Sequence, residues 1–415
     1  MDMFAFAQKT DCIILAGGQG TRLFPLTQTR CKPAVCFGGT YRLIDIPLSH
    51  CLHAKLDSIF VITQYLASSL QQHIYETYHF DQFHKSNIQL LSPEETPIRK
   101  VWFKGTADSI RQNLEYFEAS SAEYFLILSG DQLYNMDFNK LFAFAEESNA
   151  DFIIAALSVE EQEAKRMGVL NISAKREVLD FFEKPSDAIT LKRFSQPTTL
   201  LSPKYLGSMG IYLCKRDALF NLLKEEGDDF GRHLIPLQVS KGGTYCYQHD
   251  GYWEDIGTVL SYYQANLALT KENHLDAKPI FTTAQQLPST LIRDARVSDS
   301  IIAQGSISEA SQITNSVIGM RTKIGTGSVI ESCVLVGNLS AFPSSSTLPQ
   351  FCSIGKNCIL KKVIVDEHTI IGDNVTLTNP NAINHLDTFK DRGIYIRDGI
   401  IIITSGTKVP DGFTL

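Results

Sequence analysis

A six-residue spacing of isoleucines sets the tightest limit on the fold of the last third of the chain. Two sets of isoleucines follow this spacing: Ile301, Ile307 and Ile313, and then Ile318, Ile324 and Ile330. The dipeptide Ile-Gly recurs in the same region, at 318–319, 324–325, 354–355 and 371–372. An apolar residue every six positions, with glycine or another small residue at the corners, is typical of a left-handed parallel β-helix, whose coils each supply three short faces. A β-rich sequence that is periodic by chance is the alternative.

Before about residue 270 the sequence differs, because short apolar runs alternate with helical stretches. The predicted strands are Ile13–Ala16, Ser58–Ile62, Tyr124–Leu128, Phe152–Leu157 and Gly210–Cys214. Predicted helices include Ser109–Ala119 and Phe138–Glu147. This alternation predicts an α/β domain with a Rossmann-like, mostly parallel sheet covered on both faces. We therefore expect an α/β domain at residues 1–275 and a β-helix domain at residues 276–415, with the Ser- and Pro-rich segment Asn338–Gln350 as a loop projecting from one coil.

Composition and charge exclude several classes of protein. The chain has 415 residues, enough for two domains, and its net charge of −7 argues against a general nucleic-acid-binding protein. An anionic ligand must then be bound by locally placed arginine and lysine. The nine cysteines form no Cys-x-x-Cys motif, as expected for reduced thiols rather than a disulfide framework or a zinc site. No apolar run approaches the roughly 18 residues of a membrane span, and no targeting pattern opens the chain, so we expect a cytoplasmic protein with no membrane partner.

A glycine-rich turn follows the first predicted strand. Its residues are Leu15, Ala16, Gly17, Gly18, Gln19, Gly20, Thr21 and Arg22. Glycines leave backbone N–H groups open to a polyphosphate, and Arg22 and Lys32 add the positive charge that such an anion needs. The spacing fits neither a Walker A loop nor a dinucleotide-binding fingerprint. For Gly-Gly-x-Gly alone a plain tight turn is an equal alternative, but the added Thr-Arg-Leu and Lys-Pro-Ala make the phosphate-binding interpretation specific.

Two aspartates are candidate metal ligands. Asp131 follows the apolar run 125–128, at the carboxyl end of a predicted strand and on the same sheet edge as the glycine-rich turn. Asp255 lies far along the chain, just before Gly257. Mg²⁺ binds one or two carboxylates and completes its shell with water and phosphate oxygens, and it would screen the charge when two phosphorylated substrates meet. Ser-Gly-Asp by itself is as often a turn or a helix cap, but the glycine-rich turn favours the metal site.

Two further segments are candidates for binding substrates. Lys184, between Glu183 and a proline, would neutralise a phosphate as a point charge at a strand end, whereas an isolated Glu-Lys-Pro is more often a surface turn. In segment 102–108, Thr106 and Asp108 would cap the following helix, while its Trp-Phe pair would stack on a base. Both interpretations stay open, since a cap and a nucleotide contact are compatible.

These motifs occur along almost the whole chain, and together they resemble the sugar-1-phosphate nucleotidyltransferases. The matching blocks are 15–23, 30–35, 41–49, 102–108, 129–137, 183–185, 208–212 and 253–258. Blocks 41–49 (Tyr-Arg-Leu-Ile-Asp-Ile-Pro-Leu-Ser) and 102–108 (Trp-Phe-Lys-Gly-Thr-Ala-Asp) resemble the glucose-1-phosphate adenylyltransferase family rather than its uridylyl, guanylyl or thymidylyl relatives. The resemblance implies that ATP and α-glucose 1-phosphate give ADP-glucose and pyrophosphate, with Mg²⁺ and no covalent enzyme intermediate, for glycogen or starch synthesis.

The resemblance also implies a role for each matching residue. Arg22, Lys32 and Asp131 are implied to be catalytic, and Asp131 and Asp255 to hold Mg²⁺. The residues implied to bind ATP are Leu15, Ala16, Gly17, Gly18, Gly20, Thr21, Gln64, Gly105, Thr106 and Asp108. Those implied to bind glucose 1-phosphate are Gly168, Glu183, Lys184, Ser208 and Asp229. The family also implies a homotetramer.

Regulation is the part in which the sequence departs from the family. Family members bind phosphorylated metabolites or inorganic phosphate between their two domains, and Arg30, Arg42 and Lys361 are the implied anion-binding residues. Thr29 stands where some bacterial relatives have a lysine, and the C-terminal region lacks a lysine of plant-like members. The alternatives are a relative with another nucleotide, a non-catalytic regulatory subunit and a β-helix acyltransferase. The acyltransferase would need a catalytic histidine, and only His368 lies within the repeats.

Overall fold

The computed structural model describes residues 3–80, 86–94, 102–196, 204–275, 277–339 and 350–415. Most of the loop predicted at Asn338–Gln350 lies outside the described residues. Strands and helices alternate up to residue 268, and from residue 291 short strands joined by turns replace them. The change in sequence character near residue 270 therefore coincides with a change in architecture.

The α/β part contains fourteen strands and eleven α-helices among the described residues. The strands are β1 Thr10–Leu15, β2 Cys36–Phe37, β3 Tyr41–Arg42, β4 Ser58–Ile62, β5 Asn87–Leu91, β6 Tyr124–Ser129, β7 Gln132–Tyr134, β8 Phe152–Val159, β9 Gly168–Ile172, β10 Val178–Glu183, β11 Ser195–Gln196, β12 Lys204–Lys215, β13 Thr244–Gln248 and β14 Trp253–Asp255. The helices are α1 Met3–Ala7, α2 Asp45–His53, α3 Ser68–Thr77, α4 Thr106–Gln112, α5 Leu114–Glu118, α6 Phe138–Ser148, α7 Glu161–Ala164, α8 Ala188–Arg193, α9 Arg216–Leu223, α10 Ile235–Lys241 and α11 Val259–Ala268.

One ten-stranded sheet forms the centre of this part. Its order is β10-β9-β12-β6-β1-β4-β5, with β8 and β11 paired to β12 and β13 paired to β8. Strands β10 and β12 run against the others, which are parallel, so the predicted mostly parallel sheet is confirmed. Both faces are covered, because along β1 Cys12 and Ile14 pack into one buried cluster and Ile13 packs into another.

The predicted elements are present with some shifted ends. Strand β4 has its predicted range, and α6 begins at the predicted Phe138 because the Asp137 side chain accepts a hydrogen bond from a backbone N–H of the first turn. The helix predicted at Ser109–Ala119 is instead two helices, α4 and α5. They are separated at Asn113, whose side chain donates to the backbone oxygen of Ser109 at 2.8 Å and so competes with the helical hydrogen bonds.

The C-terminal strands form the three faces of a parallel β-helix. The first face is β15 Leu291–Ile292, β18 Ile307–Ser308, β21 Thr322–Ile324, β24 Cys352–Ile354, β27 Ile370–Ile371 and β32 Lys408–Val409. The second is β16 Arg296–Ser298, β19 Gln312–Thr314, β22 Val329–Glu331, β25 Ile359–Lys361 and β28 Thr376–Leu377. The third is β17 Ile301–Ile302, β20 Val317–Ile318, β23 Val334–Leu335, β26 Val363–Val365 and β31 Ile400–Ile403, extended by the antiparallel β30 Ile394–Arg397 and β29 His385–Leu386.

The isoleucine spacing corresponds to the number of residues along the chain from one face of the β-helix to the next. Ile307, Ile313 and Ile318 lie on three successive faces, and Ile313 and Ile318 are buried inside the coils. The glycine of the recurring Ile-Gly is required where coils approach closely. A Cβ on Gly319 would lie 1.9 Å from the backbone oxygen of Val336 in the next coil.

The third face of the β-helix packs against the α/β part. Val334, Ile364 and Ile402 share one buried cluster with Tyr262 of α11 and with Leu23. The two parts therefore have a continuous hydrophobic core between them. Among the described residues, no helix has the length and apolar character needed to cross a membrane.

Candidate active site

A cleft of about 1150 Å³ opens at the carboxyl ends of β1 and β6. These strands are parallel neighbours in which Leu15 pairs with Ser129, so the segments that follow them leave the sheet at the same edge. The glycine-rich turn follows β1, Asp131 follows β6, and both line the cleft. The lining also reaches Glu183 and Asp229. One cleft therefore joins the two groups of residues predicted to bind substrates.

The glycine-rich turn forms a narrower recess at one end of the cleft. This recess of about 210 Å³ is lined by Leu15, Ala16, Gly18, Gly20, Thr21, Arg22, Lys32, Pro33, Asp131 and Gly257. Gly20 has a φ of +62°, and a Cβ there would lie 3.0 Å from Cγ2 of Thr27, so the turn depends on glycine. Gly17 lines the adjoining part of the cleft. The exposed Arg22 and the buried Lys32 place two cations on the wall of the recess.

Lys32 lies between the two aspartates predicted as metal ligands. Its Nζ atom is 2.7 Å from Oδ2 of Asp131 and 3.3 Å from Oδ1 of Asp255. Strand β14 brings Asp255 here, because Asp255 pairs with Gln132 of β7. Burial opposes the charge of Lys32, but the two carboxylates outweigh this effect and raise the pKa of the lysine. Burial also opposes the charge of Asp131, but Lys32 lowers the pKa of that carboxyl. Lys32 and Asp131 are therefore both charged at neutral pH.

The carboxylate pair fits a divalent cation that shares its shell with a substrate. Within the described parts of the chain, no three or more His, Cys, Asp or Glu side chains converge as a complete metal cage would. Mg²⁺ commonly takes one or two protein carboxylates and fills the remaining positions with water and phosphate oxygens. Asp131 and Asp255 already hold a cation between them, the Lys32 ammonium, and Asp131 and Lys32 line the phosphate-sized recess. This donor set fits the predicted Mg²⁺.

Another part of the cleft is built around the Glu183 carboxylate. Nζ of Lys184 lies 2.6 Å from Oε1 of Glu183. A Cβ on Gly168 or on Gly231 would come within 2.8 Å of Oε2 of Glu183, so the carboxylate occupies space that only glycine leaves. Lys184 has a φ of +53°, a left-handed conformation that is unfavourable for a residue with a Cβ. The strained backbone and the half-exposed Lys184 side chain, 49% accessible, favour a binding site over a plain surface turn.

Ser208 and Asp229 lie in the same part of the cleft. Strand β12 has an irregular register after Ser208, which interrupts its pairing with β8. Oδ1 of Asp229 accepts a hydrogen bond from the Arg232 N–H at 2.9 Å, and its Oδ2 accepts one from Oγ1 of Thr106 at 3.4 Å. The structure thus brings together the five residues predicted to bind glucose 1-phosphate.

Gln64 holds the backbone of Phe103 at the wall of the cleft. Nε2 of Gln64 donates to the Phe103 oxygen at 3.3 Å, and its Oε1 accepts from the Phe103 N–H at 3.1 Å. Gly105 and Thr106 continue this wall. These three predicted ATP-binding residues therefore line the cleft, with Gln64 positioning the segment that carries the other two.

Asp108, also predicted to bind ATP, has a local role in the structure. Its Oδ2 accepts hydrogen bonds from the Lys104 N–H and from the Gln112 side chain, both at 2.8 Å. One bond joins the first turn of α4 to the backbone ahead of it, and the other joins it to the last residue of the helix. The N-cap position is Gly105 and has no side-chain cap hydrogen bond, so the predicted cap by Thr106 and Asp108 is wrong. Trp102 is 61% exposed and, like Asp108, lies outside the residues that line the cleft.

Arg30 was predicted to bind a regulatory anion, but in the structure it is paired with carboxylates of the chain itself. Its buried guanidinium is ion-paired with Asp366 and Glu367 of the β-helix. Burial raises the pKa of Asp366. Burial also opposes the charge of Glu367, but Arg30, Arg42 and His368 together outweigh it and lower the pKa of that carboxyl. Because two carboxylates already neutralise Arg30, this structure makes it a link between the α/β part and the β-helix rather than an open anion site.

The other two residues of the predicted regulatory site differ from Arg30. Arg42 donates from one guanidinium nitrogen to the Ala34 oxygen at 2.8 Å, and its buried Nε has no hydrogen-bond partner among the described residues. Lys361 lies on the second face of the β-helix, where its Nζ is 2.8 Å from Glu331. Arg42 therefore keeps a free donor, whereas the charge of Lys361 is partly balanced on the surface.

Sequence reasoning missed several residues of the cleft, among them Gln132, Arg166, Arg232 and Trp253. Gln132 directly follows Asp131, and its side-chain oxygen accepts from the Trp253 indole N–H at 3.4 Å. Gln132 and Trp253 lie inside the matching blocks 129–137 and 253–258, and Arg232 lies close to Asp229, so these positions were a usable signal. Arg166 follows the short helix α7 and carries no motif, so only the fold brings it to the cleft.

Comparison with protein families agrees with this geometry. Residues 11–272 match the family model described as NTP_transferase, nucleotidyl transferase. Residues 285–414 match the model described as LbH_GLGC, the GLGC left-handed parallel beta-helix domain. The second match confirms the left-handed β-helix predicted from the isoleucine spacing, and the first spans well over half of the 415 residues. The chain therefore belongs to the nucleotidyl transferase family, with the two-part architecture of the glucose-1-phosphate adenylyltransferases.

Proposed function

We propose that the protein transfers the adenylyl group of ATP to α-glucose 1-phosphate, giving ADP-glucose and pyrophosphate. The observation that carries this proposal is one continuous cleft that joins a phosphate-sized recess beside Asp131 to the Glu183–Lys184 pair. A transfer between two phosphorylated substrates requires such adjoining sites. The GLGC type of β-helix and the sequence blocks 41–49 and 102–108 support ATP and glucose 1-phosphate as the substrates.

In the proposed reaction a phosphate oxygen of glucose 1-phosphate attacks the α-phosphorus of ATP. A new P–O bond forms, the bond from the α-phosphorus to the bridging oxygen breaks, and pyrophosphate leaves with the bonding electrons. The attacking phosphate is already an anion at neutral pH, so no side chain has to act as a general base. Catalysis then depends on positioning the two phosphates and on stabilising charge.

The cations of the cleft supply most of this positioning. Arg22 and Lys32 would bind the triphosphate in the recess, and Lys184 would bind the phosphate of the sugar. Asp131 and Asp255 would hold Mg²⁺, which when bound withdraws charge from the α-phosphate. Because the whole chain carries a net charge of −7, these local cations provide an attraction for the substrates that the overall charge does not.

The experiment that tests the proposal is pyrophosphate release with glucose 1-phosphate and Mg²⁺, with ATP, UTP, GTP and dTTP measured in parallel. We expect ATP to be preferred by about 100-fold or more in kcat/KM, because a base-reading site rejects analogues that leave its polar groups unpaired. Preference for another nucleotide would contradict the substrate while leaving the family assignment intact. Absence of turnover with all four would favour a regulatory subunit.

The resemblance to the family extends the proposal to the protein's setting. ADP-glucose would serve as the glucosyl donor for glycogen or starch, and a homotetramer in the cytoplasm would carry out the reaction.

A phosphorylated metabolite or phosphate would regulate the reaction by binding beside Arg42, whose unpartnered Nε supports an anion there. Changing Arg42 to Gln should reduce the response to such effectors and leave unstimulated turnover within about twofold, since Arg42 is not among the residues that line the cleft. A collapse of unstimulated turnover would assign Arg42 to the active site or the fold.

A further inference from the structure

Lys32 is the cation that the structure places where a metal ion is expected. Its Nζ lies within 3.3 Å of both Asp131 and Asp255, and only 9% of the Lys32 side chain is exposed. The other oxygen of Asp131 accepts a hydrogen bond from Oγ of Ser129. The single ammonium therefore offsets part of the charge of the two carboxylates, and the chain also hydrogen-bonds Asp131.

The backbone of Lys32 is held by local contacts, whereas its ammonium ends a flexible side chain. Lys32 begins a 3₁₀ turn, Lys32–Ala34, in which the Val35 N–H donates to the Lys32 oxygen at 3.0 Å. A Cβ on Gly20 would lie only 3.1 Å from the Lys32 Cβ, so the glycine-rich turn packs on the base of this side chain. The ammonium, by contrast, ends a flexible four-carbon chain beside the recess that Lys32 also lines.

We propose that Lys32 is an internal counter-ion that keeps the Asp131–Asp255 pair closed to a bare divalent cation, so that the metal enters together with a triphosphate. A bare cation would have to displace the ammonium against charge repulsion, and it would therefore bind weakly. A triphosphate in the recess offers the ammonium several new oxygens at a short distance. When the ammonium moves to them, both carboxylates become free for the cation that accompanies the phosphates.

This ordering has a consequence for the empty cleft. Because the ammonium lies between the two carboxylates and offsets part of their charge, they can stay close together without a metal ion. Binding of the metal and of the triphosphate then strengthen each other, as linkage requires. The inference rests on the proposed function for the triphosphate, but its metal step concerns only Lys32 and the two aspartates.

The test is a titration of the full chain with Mn²⁺, in which electron paramagnetic resonance measures the free ion. Without nucleotide, the wild type should bind Mn²⁺ weakly, and Lys32→Met should bind it at least about tenfold more tightly because no ammonium competes. With a non-hydrolysable ATP analogue, the wild type should show protein-bound Mn²⁺ at concentrations where the bare ion stays free. Lys32→Gln, which keeps a polar side chain, provides a second variant if Lys32→Met does not fold.

Two control variants locate the effect. Lys184→Met removes the other lysine that pairs with a carboxylate in the cleft, and it should leave the affinity for bare Mn²⁺ unchanged. The double variant Lys32→Met/Asp131→Asn should lose the gain in affinity. The proposal is overturned if both folded Lys32 variants bind bare Mn²⁺ no more tightly than the wild type, or if the gain survives in the double variant. Because the Lys32 variants are compared with bare Mn²⁺ and no nucleotide, a different nucleotide preference in the turnover assay would contradict the proposed function without affecting that comparison.

Discussion

Two cations that are close in sequence each lie between a pair of carboxylates, but in different surroundings. We name the two groups by their residues: the interface cluster is Arg30 with Asp366 and Glu367, and the cleft cluster is Lys32 with Asp131 and Asp255. In the interface cluster the two carboxylate side chains are 4% and 12% exposed. In the cleft cluster they are 24% and 42% exposed.

The difference shows how similar ion pairs serve a structural and a chemical purpose. The Arg30 guanidinium is a rigid fork that reaches one carboxylate with each of two nitrogens, and Arg30 is not among the residues that line the cleft. Removing it would leave two buried charges unpaired. The Lys32 ammonium is a single charge at the end of a flexible side chain on the wall of a cleft, and in the proposed exchange another cation takes its place. The exposure and flexibility of a cluster thus decide whether its cation is exchangeable.

The largest expected effect is on turnover in the cleft cluster. Asp131→Ala should lower pyrophosphate release by at least about 1,000-fold, near 4 kcal/mol of transition-state stabilisation, because a metal ligand is lost. Its circular dichroism spectrum should match that of the wild type, since Lys32 keeps Asp255 as a partner. Near-normal turnover in Mg²⁺ would remove Asp131 from the active site.

The next effect is on stability in the interface cluster. Arg30→Met should lower the free energy of unfolding by about 3–5 kcal/mol, because two buried carboxylates lose their counter-ion. Urea denaturation measures this change, and Lys32→Met is the matched comparison, with a smaller expected loss. Adding Asp366→Asn and Glu367→Gln to Arg30→Met should restore most of the stability. If Lys32→Met is the more destabilising change, the distinction between the two clusters is wrong.

A smaller effect is expected for Lys184, whose side chain is 49% exposed and therefore more exposed than Arg30 or Lys32. Lys184→Ala should raise the KM for glucose 1-phosphate by about 10- to 100-fold, since one charge contact to the phosphate is lost. The KM for ATP should change by less than about threefold, because the residues proposed to bind ATP are unchanged in this variant. Steady-state kinetics with each substrate varied in turn measures both constants, and equal effects on the two would contradict the assignment to the sugar phosphate.

The smallest effect is on the pH dependence of stability. Burial raises the pKa of Asp366 above its ordinary value of 3.8. When the pKa of a carboxyl is higher in the folded than in the unfolded state, the folded protein binds the proton at a higher pH than the unfolded chain does. The contribution of that carboxyl to stability therefore grows as the pH falls through the folded pKa towards the unfolded value of about 3.9. The wild type should therefore gain stability relative to Asp366→Asn between pH 7 and pH 4, as followed by urea denaturation at each pH. Glu367, whose pKa is lowered, acts in the opposite direction in both proteins.

Much of the fold was predictable because its causes are local. The glycine-rich turn, strand β4 and the start of α6 each follow from residues within one short segment. The isoleucine spacing predicted a β-helix because every coil repeats the same short-range geometry. The single helix predicted at Ser109–Ala119 was wrong because Asn113 offers its own hydrogen bond to the backbone. Asp108 was open to two interpretations, and the structure shows the contact with the nearest backbone.

By itself, the sequence determined the types of element and the residues that carry charge and backbone freedom at the candidate site. Only the tertiary structure decided the partners of those charges. Asp255 reaches Lys32 because β14 pairs with β7, and Arg30 meets Asp366 because the β-helix packs on the α/β part. Such contacts join residues far apart in the chain, and their energies depend on burial and distance, which local sequence patterns do not encode.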